Sequence, residues 1–143
     1  MTPILYGVPL SPFVRKVRVV LEEKNISYEI DPVAPTNVSD EFRKISPLGK
    51  VPVYRDDRIT IPDSSVIAAY LEKIHPQSSL YPSKPESYAR ALWFEEYCDA
   101  GIILPLTTAF IERKIAPAFM NRPTNEDAIK EALEIKLPPM FAY

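Results

Sequence analysis

The chain has a single cysteine, Cys98, and a single histidine, His75. One cysteine excludes an intrachain disulfide, and with neither a CxxC pair nor a Cys/His cluster the sequence gives no signal for a metal site. One histidine leaves little material for triad chemistry. An excess of one charge is also lacking, because 17 basic residues are scattered among 19 acidic ones for a net charge of -2. No basic footprint for a phosphate backbone results, so nucleic acid is not an expected partner. No apolar run approaches the roughly 18 residues that suggest a membrane span, and no basic segment followed by a long apolar one opens the chain. A soluble, cytoplasmic protein without a membrane partner is the expectation.

What is present is the material of a packed core. At 143 residues, 46% hydrophobic and 25% charged, the chain can build one ordinary domain and a smaller second piece. Ile4, Leu5 and Tyr6 before Gly7 read as a short buried strand. Ser11-Pro12 signals a helix start, and Val14, Val17, Val20 and Leu21 follow at near-helical spacing as far as Lys24. Ser27 to Val33 alternates as a second strand, with Tyr28 and Ile30 on one face, which predicts a parallel strand-helix-strand unit. A short helix over 38–45, capped by Ser39, stops before Pro47. Lys50 to Tyr54 and Ile59 to Ile61 flank the turn Arg55 to Arg58 and predict an antiparallel hairpin. Asp63-Ser64-Ser65 opens a helix whose buried stripe is Val66, Ile67, Tyr70, Leu71 and Ile74, ending at His75-Pro76.

The resulting fold class is an α/β domain of order βαβαββα over residues 1–76, a Pro- and Ser-rich linker over 77–85, and a helical region over 86–143. Pro105 and Pro117 are expected to kink or end helices in that last region, and Thr124 or Asn125 to start a new one that Pro138-Pro139 interrupts. Trp93 and Phe94 are expected in its core, and Cys98 as a buried, inert thiol.

Three segments at element boundaries carry possible chemistry. Ser11, Pro12 and Phe13, with Arg15, Lys16 and Val17, stand at the first strand-helix junction. A free thiol of pKa about 8.5 is only slightly ionised at neutral pH, and each unit of depression needs about 1.4 kcal/mol of selective stabilisation. A hydroxyl at a helix N-terminus can supply part of that by donating to the sulfur, while the exposed N–H groups and the helix dipole favour the negative charge. The same serine can equally be a helix cap and nothing more. Lys50-Val51-Pro52-Val53 offers either an extended edge to which a peptide backbone pairs or a plain edge strand. Asp63 and Ser64 suit either capping or the two charges of an amino-acid group, with the carboxylate on Ser64 and the helix N-terminus and the ammonium on Asp63. Lys50 is either a partner for a carboxylate or a solvated lysine.

In this order, Ser11-Pro12-Phe13, Ser46-Pro47-Leu48-Gly49-Lys50-Val51-Pro52 and Asp63-Ser64 closely resemble the motifs of the glutathione transferase family, strongly over 1–80 and more loosely to Tyr143. The resemblance implies a thioredoxin-like domain that binds glutathione as co-substrate through Phe13, Lys50, Val51, Pro52, Asp63 and Ser64. It also implies a cis Val51-Pro52 bond. Ser11 would be the catalytic residue, holding the thiolate that attacks an electrophilic, apolar second substrate. No metal is needed, and serine in place of cysteine at position 11 disfavours disulfide exchange. Aspartate at position 63 departs from the family's usual glutamate or glutamine and is one methylene shorter than glutamate. A helical domain shorter than the family's and a homodimer, supported by apolar residues around 64–74 and 88–115, complete the expectation. A peroxidase or isomerase using the same site, or a scaffold protein of the same fold, stand as alternatives.

Overall fold

The computed structural model describes residues 1–35 and 38–143, which divide into two compact units, Met1–Pro82 and Ser83–Tyr143. In the first unit, β1 (Ile4–Tyr6), α1 (Pro12–Glu23), β2 (Glu29–Asp31), α2 (Asp40–Ile45), β3 (Val53–Arg55), β4 (Thr60–Pro62) and α3 (Ser64–Ile74) follow the expected order. The sheet runs β2-β1-β3-β4, with β1 and β2 parallel and β1/β3 and β3/β4 antiparallel. Register pairs Leu5 with Tyr54 and Tyr54 with Ile61, so the centre of each strand lies on one line across the sheet.

Helix α1 forms where the sequence signals it: Ser11 is the N-cap, Pro12 occupies the first turn, and Val14, Val17 and Leu21 are wholly buried. With Leu5, Val53, Tyr54, Ile67 and Leu71 they make one core between the sheet and the α1 and α3 helices. Burying each such aliphatic side chain is worth roughly 1.5–3 kcal/mol. Two members of the expected stripes fall elsewhere. Val66 on α3 is 53% exposed and Ala68 takes the buried place beside Ile67, while Ile30 is exposed on edge strand β2. The 3.6-residue period brings 64, 67, 68 and 71 onto one face and turns 66 away from it.

The end of this unit is fastened by a buried cation. Lys24, whose side chain is fully buried, pairs with Glu72 at 2.7 Å and donates to the carbonyls of His75 and Ser78. Glu72 in turn accepts from the Ser79 hydroxyl and the Leu80 N–H. Burial alone would raise the Glu72 pKa, but Lys24, Ser79 and Leu80 outweigh it and bring it down to about 2.

The second unit contains α4 (Pro85–Tyr97), α5 (Ile103–Phe110), α6 (Ala116–Phe119), α7 (Glu126–Lys130) and α8 (Pro138–Phe141), with π turns at Cys98–Ile102, Ile111–Ile115 and Glu131–Lys136. Each π turn stands immediately before a proline-containing helix. The bonds Ile103 N–H to Cys98 O, Ala116 N–H to Ile111 O and Leu137 N–H to Ala132 O have the wider five-residue reach. That widening lets the helical path continue through Pro105 and Pro117 instead of ending there, because the ring and its missing donor fall where the ladder has already loosened. Asn125 caps α7 through Ala128 N–H. Glu112 holds Arg122 in a bidentate pair at 2.6 Å and accepts from Asn125 N–H, so α7 starts from a fixed point.

Three expectations for this region are corrected. Trp93 and Phe94 are 49% and 48% exposed rather than core, and Cys98 is exposed rather than buried. The buried apolar positions are instead Pro105, Ala109, Ala116, Ile129 and Ala132. Trp93 stacks its edge against Tyr143 and donates its indole N–H to the Tyr143 hydroxyl at 3.1 Å, and Tyr97 donates to the Met140 carbonyl. These aromatics form a cluster at the surface. Among the described residues no helix is long and apolar enough to cross a membrane, and no three His, Cys, Asp or Glu side chains are gathered to hold a metal ion.

Candidate functional site

Strand register brings three separate segments to one end of the sheet. Tyr6, the last residue of β1, pairs with Val53, the first of β3, which pairs with Pro62, the last of β4. The residues just outside these positions are therefore neighbours: the turn leading to Ser11, the Val51-Pro52 dipeptide, and Asp63-Ser64. Gly7 marks how closely the first two approach. Its φ is +142°, and a Cβ there would stand 2.5 Å from Val14 Cγ2 and 3.2 Å from Val51 Cβ, so no side chain fits. The second and third are joined directly, since Asp63 N–H donates to the Pro52 carbonyl at 3.3 Å.

Ser11 is half-buried at the head of α1, and its Oγ accepts from Val14 N–H at 3.4 Å. Capping uses only an acceptor lone pair, so the hydroxyl proton can still be donated. The cap and the thiol-activating roles are compatible at this residue. Phe13 is half-buried on the first turn of the same helix.

The Val51-Pro52 bond is cis, as the resemblance implies, and both residues are buried. Just before them the chain is clamped by Ser46, whose buried hydroxyl donates to the Lys50 carbonyl at 2.7 Å and accepts from the Lys50 N–H at 3.1 Å. The Lys50 side chain is left exposed beside this clamp. Ser46 fixes where the Val51 backbone lies, a role its place in the sequence motif did not disclose.

Asp63 holds φ +79°, a conformation uncommon for a non-glycine residue. Its Oδ1 accepts from both Ser65 N–H at 2.9 Å and Val66 N–H at 3.2 Å, so one carboxylate oxygen carries the whole α3 cap. Ser64, the first residue of α3, is 4% exposed. In the hairpin turn, Asp56 accepts from Arg58 and Ile59 N–H and from the Tyr70 hydroxyl. Burial would raise its pKa, but these donors outweigh it and keep it below the ordinary carboxylate value. Burial, with the Asp56 charge adding to it, pushes the Tyr54 phenol well above its usual range, so Tyr54 stays neutral inside the core.

This arrangement of a cis-proline strand edge between two helix N-termini can be set beside known proteins. Residues 5–79 match the family described as glutathione S-transferase, N-terminal domain. The chain belongs to the glutathione S-transferase family. It is 45% identical over 69 residues to glutathione S-transferase DHAR3, chloroplastic, of Arabidopsis thaliana, covering 48% of this chain and 27% of that protein. It is 37% identical over 106 residues to probable maleylacetoacetate isomerase 1 of Drosophila melanogaster, covering 70% of this chain and 43% of that protein. Among solved structures, glutathione transferase F2 of Populus trichocarpa superposes with a TM-score of 0.83 at 27% identity, covering 98% of this chain and 67% of that one. The matched stretch spans less than half the length of either curated relative.

Proposed function

We propose that this chain binds glutathione across the three converging segments and lowers the pKa of its thiol for attack on an electrophilic, apolar second substrate. In this reading the cysteinyl backbone of glutathione pairs with Val51 like an added strand. Its γ-glutamyl carboxylate sits at Ser64 and the α3 N-terminus, and its ammonium at Asp63 Oδ2, the oxygen that the cap does not use. Lys50 takes the glycyl carboxylate, and Phe13 flanks the tripeptide. The Ser11 hydroxyl donates to the sulfur, which gives its proton to solvent and then forms the new carbon-sulfur bond as the leaving group departs with its electron pair. The observation that carries the reading is the junction of Gly7, Val51-Pro52 and Asp63-Ser64 at one sheet end, with Ser11 at the head of the adjoining helix.

A second reading follows from the likeness to a probable maleylacetoacetate isomerase, which extends over 70% of this chain. The same thiolate would add to an unsaturated carbon and be expelled after rotation, giving isomerisation with no net transfer. Both readings use one glutathione site and differ only in the second substrate. A homodimer in the cytoplasm fits both. The dimer is supported by exposed apolar residues such as Val66, Leu104 and Phe110.

Calorimetric titration with glutathione tests the binding claim. Saturable binding by the parent, weakened at least about tenfold in Ser64→Ala by loss of a charge-assisted hydrogen bond, is expected. A folded parent that takes up no glutathione would instead point to a scaffold role for this fold.

A further inference from the structure

Lys16 follows Ser11 by five residues on α1, and its ammonium donates to the Ser65 hydroxyl at 2.9 Å. Ser65 is the residue after Ser64, and its backbone N–H is one of the two held by Asp63 Oδ1. One side chain therefore ties the helix headed by Ser11 to the first turn of the helix that begins at Ser64. Half-buried, it also brings a positive charge beside an α-helix N-terminus that is already electropositive. Two like electrostatic ends meeting in this way favour an anionic group that both can stabilise.

We propose that Lys16 is a positioning and specificity-determining residue for the γ-glutamyl end of glutathione, acting through Ser65 on the first turn of α3. The proposal rests on the glutathione reading above and adds a residue to it. The lysine orients the Ser65 hydroxyl and, with it, the turn whose backbone receives the carboxylate. Its charge selects ligands that carry that carboxylate. Because the ammonium acts at α3, the thiol at the other end of the tripeptide keeps its ionisation.

The test measures binding of glutathione and of an analogue in which 4-aminobutyryl replaces the γ-glutamyl group, so that the α-carboxylate alone is missing. Parent, Lys16→Met, Lys16→Arg and Ser65→Ala are titrated calorimetrically, with thermal melting to establish that each is folded. Lys16→Met is expected to weaken glutathione about tenfold and the analogue less than about twofold, in keeping with loss of one charge-assisted contact. Lys16→Arg should restore glutathione binding to within about threefold of the parent, and Ser65→Ala should fall between the parent and Lys16→Met. The pKa of the bound thiol should be the same in all four. Equal loss for both ligands, or no loss for either, would overturn the assignment and leave Lys16 a structural tie between helices. A parent that binds neither ligand would overturn the glutathione reading itself, and Lys16's role with it.

Discussion

The two units are built from similar amounts of apolar material and differ in which side chains they bury. The first buries Leu5, Val14, Val17, Leu21, Val53, Tyr54, Ile67 and Leu71 together. The second buries mainly alanines and Ile129, and leaves Trp93, Leu104, Phe119, Ile135, Phe141 and Tyr143 at its surface. Dispersion and hydrophobic stabilisation scale with the area and contacts buried, so the first unit's large side chains contribute more per residue than the second unit's alanines do. The first unit is thus the better-packed platform for a site made of three short segments. The second unit is tied internally by its Glu112-Arg122 pair and by the Asn125 cap of α7.

The sharpest way to break this comparison is to remove a large side chain from each unit. Leu71→Ala should cost about 2–5 kcal/mol, because it opens a cavity in a core that cannot fully collapse. Phe119→Ala, at an exposed position, should change stability by no more than about 0.5 kcal/mol. Denaturant melting of both variants checks the pair, and equal losses would show that the units do not differ as described.

Next in size is the buried cation. Lys24→Met leaves Glu72 without its partner and should cost about 3 kcal/mol, the lower end for breaking a buried pair, since Glu72 keeps some solvent contact. The same pair sets an acid limit. The Glu72 pKa is depressed from its ordinary 4.5 to about 2, so its contribution is complete above pH 4.5 and is lost as pH falls from there toward 2. Glu72→Gln should remove that part of the stability-pH slope, which melting curves over this range will show. Arg122→Ala in the second unit should have a smaller effect than Lys24→Met, because the arginine is partly exposed and its pair with Glu112 is open to screening by salt. Raising ionic strength should narrow the difference between Arg122→Ala and the parent.

The smallest effect concerns Cys98, which should react with a thiol reagent in the native protein, one equivalent per chain, at a rate little changed by mild denaturant. Slow reaction that accelerates on unfolding would return it to the buried class.

How far the sequence could be read follows the same division. Around α1, the hairpin and α3, caps and hydrophobic period agree with the tertiary contacts, and Ser11, Ser39 and Asp63 cap the helices they precede. Even there, Val66 is exposed although it is apolar, because the helical period places Ser64, Ile67, Ala68 and Leu71 on the buried face and residue type alone does not. In α4 and α5 apolar residues lie on every side, so periodicity could not tell Trp93 and Phe94 from core residues. The π turns were also hidden, since the prolines announced a disturbance without its form. The Ser46 clamp and the Lys16-Ser65 link escaped for a different reason. They depend on which atoms meet after folding, the second across 49 residues of sequence, and no local pattern encodes them.

Whether Ser11 activates the thiol is decided by ultraviolet titration of the glutathione thiolate bound to the parent and to Ser11→Ala. The bound thiol pKa should lie clearly below the free value of about 8.5 in the parent and return toward that value in Ser11→Ala while glutathione still binds. Identical titration curves for the two proteins, with glutathione bound to both, would reduce Ser11 to a helix cap and contradict it.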